Sequence, residues 1–295
     1  MSRRLVGAVL LVAAGLAQSA AAQAPVEWKL KVGDKFYLRT VTTTKQTLKA
    51  LNKDVPQNAE QTVVLGFSVE EKVGDNFLLK ETIEDVTVKS DKGDAVSDPK
   101  IAGSVFLLTV SPKWEILKFE GYDKLVDRLA GDDPAVRQAL TATLPEDVFK
   151  RTVREAMAFL PDRPVKDGET WERSVESPLG PIGTLRETRT YKMEGKEDVG
   201  GKKVDKITYT TAVEFKPGKK VENLPYYVIS GQMEVKEGKG TVHFDPAASQ
   251  LVQIKSDLKL VGRMVLSISE TKVDAVVEQE QGTVVTVLKE KPGKK

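Results

Sequence analysis

The sequence predicts a mainly β fold: two related antiparallel β-meanders, curved or half-barrel-like, with a central helical insert packing on one face. Three observations carry this. Apolar and polar residues alternate with period two through long segments, glycine-centred turn signals punctuate those segments, and near the middle the pattern gives way to helical spacing with its own caps. The ranges that follow are 1–22 for a signal peptide, 23–120 for the first meander, 121–162 for the helical insert, 163–289 for the second meander and 290–295 for a basic tail.

The chain opens with Arg3 and Arg4, an apolar run from Leu5 to Ala17 and a small-residue end, the layout of a secretory signal peptide. The run falls short of the ~20 apolar residues that a spanning helix needs. Two A-x-A sites compete, and Pro25 would follow the second bond directly. Proline fixes the backbone there and lacks an N–H, so cleavage is expected between Ala22 and Gln23. The protein is thus expected to be exported, periplasmic or secreted, with no membrane span after processing.

Strands follow in order. Phe36, Leu38, Thr40, Thr42 and Thr44 share one side of a long strand, with Tyr37, Arg39, Val41 and Thr43 on the other. Val63, Leu65, Phe67 and Val69 alternate in the same way. After Val73-Gly74-Asp75-Asn76 the residues Phe77, Leu79 and Ile83 oppose Thr82, Glu84, Val86 and Val88. The stretch Lys31 to Leu38 nearly recurs at Lys72 to Leu79. Each copy is a turn leading into a strand, since a phosphate loop needs more glycines and a following helix. Strands at Ser104 to Val110 and Lys113 to Phe119 meet at Ser111-Pro112.

The helical insert comes next. Tyr122, Leu125, Val126 and Leu129 have helical spacing, Asp133-Pro134 is an N-cap followed by proline, and Thr143 to Glu146 is a capping box. Phe149, Val153, Met157 and Leu160 then form an apolar stripe, facing either the core or an apolar ligand, with Ile254, Leu258, Leu260 and Met264 as its matching strand face. Pro161 and Pro164 end it.

Strand patterning resumes at Thr184 to Met193 and Lys203 to Phe215, around Val199-Gly200-Gly201, then at Tyr227 to Glu237 and Thr241 to Phe244. One long run puts Val252, Ile254, Leu258, Leu260, Met264, Leu266 and Ile268 opposite Gln253, Lys255, Asp257, Lys259 and Arg263. Lys272 to Leu288 is the last strand. The halves are alike: Val32 to Phe36 matches Asp167 to Trp171, and Ser111-Pro112 matches Asp245-Pro246. An internal duplication is expected.

Composition excludes several functions. The chain has no Cys, hence no disulfide frame, thioether lipid or thiolate ligand. Lys and Arg number 45 against 43 Asp and Glu, and removing the signal peptide takes two Arg away. A near-neutral remainder does not suggest nucleic acid as a partner. His243 is the only histidine, set on the polar side of its strand. The carboxylates Glu70, Glu71, Glu81, Glu84, Asp85, Glu278 and Glu280 stand among Lys and Thr as solvated faces do. Asp91 to Asp94 lacks the spacing of a calcium loop, and G-x-S-x-G is absent. No catalytic, cofactor-binding or metal set emerges.

Two motifs carry a family resemblance: Val32-Gly33-Asp34 at the first strand, and Pro161-Asp162-Arg163-Pro164-Val165-Lys166-Asp167-Gly168-Glu169-Thr170-Trp171 after the helices, with Phe244-Asp245-Pro246 as a third piece. On these the chain resembles an uncharacterised family of exported bacterial proteins, a domain of unknown function, whose membership implies no activity. In architecture it is similar, more loosely, to the lipoprotein-carrier half-barrels, in which a curved sheet wraps helices and shelters acyl chains. The leading expectation is an exported non-enzymatic binding protein or envelope scaffold, its partner a protein or an apolar ligand. The second is a carrier of an apolar or acyl-chain ligand in a sheet–helix concavity, and the third an undetected hydrolase.

Overall fold

The computed structural model describes residues 26, 28–91, 93–97, 99–143, 145–147, 149–150, 159–179, 182–218 and 226–293. The expected cleavage residues Ala22 and Gln23 lie outside them, as do Val153 and Met157 of the apolar stripe.

The first meander comprises β1 (Lys35–Ala50), β2 (Lys53–Val73), β3 (Asn76–Ser90), β4 (Gly93–Ser97), β5 (Val105–Val110) and β6 (Ile116–Glu120). Helices α1 (Tyr122–Ala130) and α2 (Pro134–Thr143) follow. The second meander is β7 (Thr170–Pro178), β8 (Gly183–Val199), β9 (Lys202–Pro217), β10 (Tyr226–Asp245), β11 (Gln250–Ile268) and β12 (Thr271–Leu288). The two meanders are not separate sheets. They join edge to edge in the order β6-β5-β3-β2-β1-β12-β11-β10-β9-β8-β7, with β4 paired to β3 off that path. The sheet is curved and open. Register shifts accompany the curvature, three of them along the β10–β11 pair, where Ile229 and Lys236 of β10 and Val252 of β11 are the extra residues, as expected where an extra residue bends a strand.

The strands along the sheet from β5 to β8 share one apolar face, and at one end of the sheet this face is the core. Leu38 lies opposite Leu65 on one side and Val287 on the other, and Leu79, Leu108, Met193, Ile207 and Val242 are fully buried on the same face. Alternation in the sequence reads out as inside and outside up to the register shifts; at the shift that skips Glu84 the phase changes, so Val86 packs against the core beside Val63 and not on the side opposite Leu79 and Ile83.

The two opening turns are built alike. Gly33 (φ +90°) donates its N–H to the Val69 carbonyl, Val69 donates to the Asp34 carbonyl, and Lys31 N–H donates to Asp34 Oδ2 at 2.9 Å. In the second meander Gly168 (φ +84°) donates to the Met193 carbonyl, Met193 to the Glu169 carbonyl, and Lys166 N–H to Glu169 Oε2 at 3.0 Å. A register shift follows each acceptor strand, after Val69 and after Met193. Asp34 and Glu169 are thus turn-closing acids.

The β5–β6 and β10–β11 turns are also alike. Ser111 Oγ accepts N–H bonds from Lys113 and Glu115, and Asp245 Oδ1 accepts them from Ala247 and Ala248. The N-terminal segment links the two turns: Lys29 N–H donates to the Ser249 carbonyl, and Trp28 packs 5.0 Å from Trp114.

The helices cap as expected at Asp133, whose Oδ1 accepts N–H bonds from Ala135 and Val136. Leu125 and Val126 are buried. Phe149 packs between Phe106 at 5.6 Å and Tyr122 at 6.0 Å. Trp171 Nε1 donates to the Phe159 carbonyl at 3.0 Å and an Arg173 guanidinium nitrogen to that of Leu160 at 2.7 Å, which ties the end of the insert to β7.

The turn geometry has a measurable consequence. Gly74 sits at φ +63°, and a Cβ added there would meet no heavy atom within 4 Å. Gly74→Val should therefore cost roughly 1 kcal/mol or more through backbone conformation alone. Asp34→Ala removes one exposed hydrogen bond and should cost less, roughly 0.5–1 kcal/mol. Urea unfolding measures both, and the reverse order would contradict the turn geometry.

Candidate functional site

The apolar face does not stop where the core does. Along β11 it continues through Leu258, Leu260, Met264 and Leu266, on the side opposite Lys255, Asp257, Lys259 and Arg263. The register places Val235, Met233 and Val228 of β10 beside them, and Val277, Ala275 and Val273 of β12 on the other flank. Val213 and Phe215 of β9 and Leu185 of β8 extend it. Leu260, Val228, Val273 and Phe215 are buried but stand outside the main core cluster, and Leu258, Met264 and Leu266 are only half-buried.

Glycines shape the floor of this face. An added Cβ on Gly240 would fall 2.2 Å from the Tyr209 ring, and one on Gly231 would fall 2.6 Å from the Phe215 ring. Rings of β9 therefore lie across bare backbone of β10, Tyr209 within the core and Phe215 beyond it.

A polar band separates the covered core from this region. On β1 and β12 it consists of uncharged side chains: the Thr42 and Thr283 hydroxyls lie 3.4 Å apart, and Gln279 donates to Gln281 at 3.1 Å. On β8 it holds Arg189, which pairs with Glu187 and lies over the Tyr209 ring at 5.4 Å. Burial works against the Arg189 charge, but the Glu187 carboxylate together with Tyr191 and Tyr209 more than offsets it and keeps the guanidinium protonated. Burial likewise pushes Tyr191, stacked on Trp171, up to about 12.

The sequence-derived stripe divides between two places. Phe149 meets the first meander at Phe106, and Leu160 is buried in the core cluster with Ile254. Leu258, Leu260 and Met264 lie beyond that cluster. His243 does point away from Val242 and Phe244; its Nε2 is 2.8 Å from Glu197 Oε2. Hydrogen bonds from His243 and Lys206 hold the Glu197 carboxyl below its ordinary value. Among the described residues no three metal-ligating side chains converge.

Glu81 corrects the reading of the carboxylates as solvated. It shares parity with Leu79 and Ile83 and is 5 % exposed, opposite Phe67 and Phe106. Its Oε2 has no hydrogen-bond partner. Burial pushes its carboxyl up to about 8. The signal was present in the strand parity, which outranks the charge of the side chain.

The architecture is that of an open antiparallel sheet with an apolar face only partly inside the core. Residues 72–245 match the family of unknown function DUF6263, and the chain belongs to that family. No functionally curated protein matches the sequence. Among solved structures, lipovitellin, described for its lipid–protein interactions, aligns at 7 % identity over 90 % of this chain with a TM-score of 0.41, and this chain spans 26 % of that one. A COG4313 outer membrane channel from Pseudomonas putida F1 aligns at 9 % identity over 89 % of this chain and 98 % of its own, with a TM-score of 0.22. A putative outer membrane lipoprotein-sorting protein domain from Vibrio parahaemolyticus aligns at 10 % identity over 82 % of this chain and 83 % of its own, with a TM-score of 0.16. Likeness at these scores does not bear on function. Among the described residues no helix is long and apolar enough to cross a membrane.

Glu81 supplies a pH test. Its folded value lies above the unfolded value of 4.5, so the folded state holds the proton more tightly. Its contribution is complete below about 4.5 and is lost as pH rises towards about 8, at up to roughly 1.4 kcal/mol per pH unit. Glu81→Gln should flatten that slope and be the more stable form near the upper end of the window. Unfolding curves across this range check it, and parallel wild-type and variant profiles would contradict it.

Proposed function

We propose that this is an exported, non-enzymatic binding protein that holds an apolar ligand of the acyl-chain class on the second meander. One observation carries the reading. Strands β10, β11 and β12 extend the core face well past the core cluster, and Leu258, Met264 and Leu266 there stay half-buried among the buried Val228, Leu260 and Val273 instead of turning polar. A strand face with no apolar neighbour to meet gains nothing from Leu258, Met264 and Leu266, whereas an acyl chain laid across them gains about 0.8 kcal/mol per buried CH₂. The glycine-backed ring of Phe215 gives that chain a flat support.

The polar band, threonine and glutamine on β1 and β12 and a paired Arg189 and Glu187 on β8, suits the same use. It sets a polar limit between the packed core and the ligand region without placing an unpaired charge beside an alkyl chain. The likeness of the two opening turns, hydrogen bond for hydrogen bond, supports descent of both meanders from one duplicated unit, with only the second extended as a ligand face. Export rests on the leader ending at Ala22.

Titration of the purified chain with a fluorescent long-chain fatty acid tests the ligand. Met264→Glu should weaken binding at least tenfold, because it places a charge in the middle of the face. Phe149→Ala should leave probe affinity unchanged and cost roughly 2–3 kcal/mol of stability as a core truncation. Probe binding that survives Met264→Glu and is lost with Phe149→Ala would move the ligand site under the helices.

A further inference from the structure

The end of the sheet away from the core carries a row of exposed apolar side chains on its hairpin tips. Leu51 in the β1–β2 turn is 68 % exposed, Ile182 in the β7–β8 connection 37 %, Ile229 at the start of β10 40 %, and Ile268 at the β11–β12 turn 39 %. Turn chemistry does not call for any of them. Leu51 sits at φ 52° and its neighbour Asn52 at φ 58°, a pair of left-handed residues of the kind that favours Asn-Gly. A leucine there is strained and buries little. Ile229 falls at the register shift between Val228 and Ser230, where β10 has a residue without a partner on β11. Ile268 closes β11 opposite Thr271, beside Ser269 and Glu270, which are also left-handed. The Gly218 N–H bond to the Ile182 carbonyl at 3.0 Å holds the β7–β8 connection against the end of β9.

We infer that this rim docks on the surface of a lipid bilayer, each tip inserting its side chain into the interfacial layer. The spread of the tips decides against a protein partner. From β2 across to β7 the row covers eight strands, roughly 34 Å at about 4.8 Å per strand, with polar residues between the tips. A stable protein interface needs one packed patch of about 800 Å² per partner, and spaced points in a line do not form one. A bilayer surface accepts each side chain separately. The near balance of acid and base in the chain makes apolar insertion, and not attraction to anionic headgroups, the source of binding. The rim is a different surface from the ligand face, and its docking does not depend on that ligand.

Vesicle co-sedimentation of the full chain tests it, with phosphatidylcholine vesicles and with vesicles enriched in phosphatidylglycerol. Binding to both is expected, little changed by salt. The variant Leu51→Ser, Ile182→Ser, Ile229→Ser, Ile268→Ser should lose on the order of a hundredfold in partitioning. Leu51→Asn supplies a control against unfolding, because asparagine suits the left-handed turn: it should raise the melting temperature, lower partitioning severalfold and leave fatty-acid probe affinity unchanged. Binding only to the anionic vesicles that salt abolishes, no vesicle binding by the wild type, or partitioning unaffected by Leu51→Asn and the fourfold variant would each overturn the proposal.

Discussion

The ladder between β1 and β12 is the constraint on which the rest of the structure depends. It runs from Tyr37 opposite Leu288 to Ala50 opposite Ala275 and turns two meanders into one sheet. Because β1 opens the first meander and β12 closes the second, their pairing forces the chain to start and finish at the centre. It therefore leaves the first meander at the β6 edge and re-enters at the β7 edge. The connection between them must cross the width of the sheet, up to roughly 48 Å at about 4.8 Å per strand. That crossing is the helical insert. Its tie points at either side, Phe149 on Phe106 and the Phe159 and Leu160 carbonyls on Trp171 and Arg173, show where it meets each half.

A crossing at one end of long strands covers one end only. The core collects there, around Phe36, Phe67, Trp28 and Trp114 in the first half and Tyr191, Met193, Ile207 and Phe244 in the second. The N-terminal segment reinforces the same end by bridging the β5–β6 and β10–β11 turns. Farther along the strands the two halves diverge. The first meander turns to threonine and glutamine on its inner face, while the second keeps leucine, methionine and valine. This asymmetry is the reason the proposed ligand is set on the second meander.

Much of this was legible in the sequence. Period-two alternation located the strands, and the Gly-Asp and Gly-Glu turns located the strand openings, because the glycine conformation and the acid-to-backbone bonds are local. The inward set on β11 was readable from Ile254 to Leu266, but not at its ends, where a register shift buries Leu251 in place of Val252 and Ile268 stands exposed. The β1–β12 pairing was not, since nothing local marks which edges meet. Gly238 and Gly240 read as a break between two strands, yet β10 runs through them, and their missing side chains make room for Thr211 and Tyr209. Glu81 was hidden by its charge although its parity with Leu79 marked it as internal.

Hydrogen–deuterium exchange on the full chain, with and without palmitic acid, reads both the joining of the two meanders and the ligand face. Facing amides of β1 and β12 are expected to exchange together at the slowest rates in the molecule, and palmitic acid to slow exchange around Val228 to Val235, Leu258 to Leu266 and Val273 to Val277 alone. Two meanders exchanging as independent units, or slowing confined to the strands beneath the helices, would contradict this expectation.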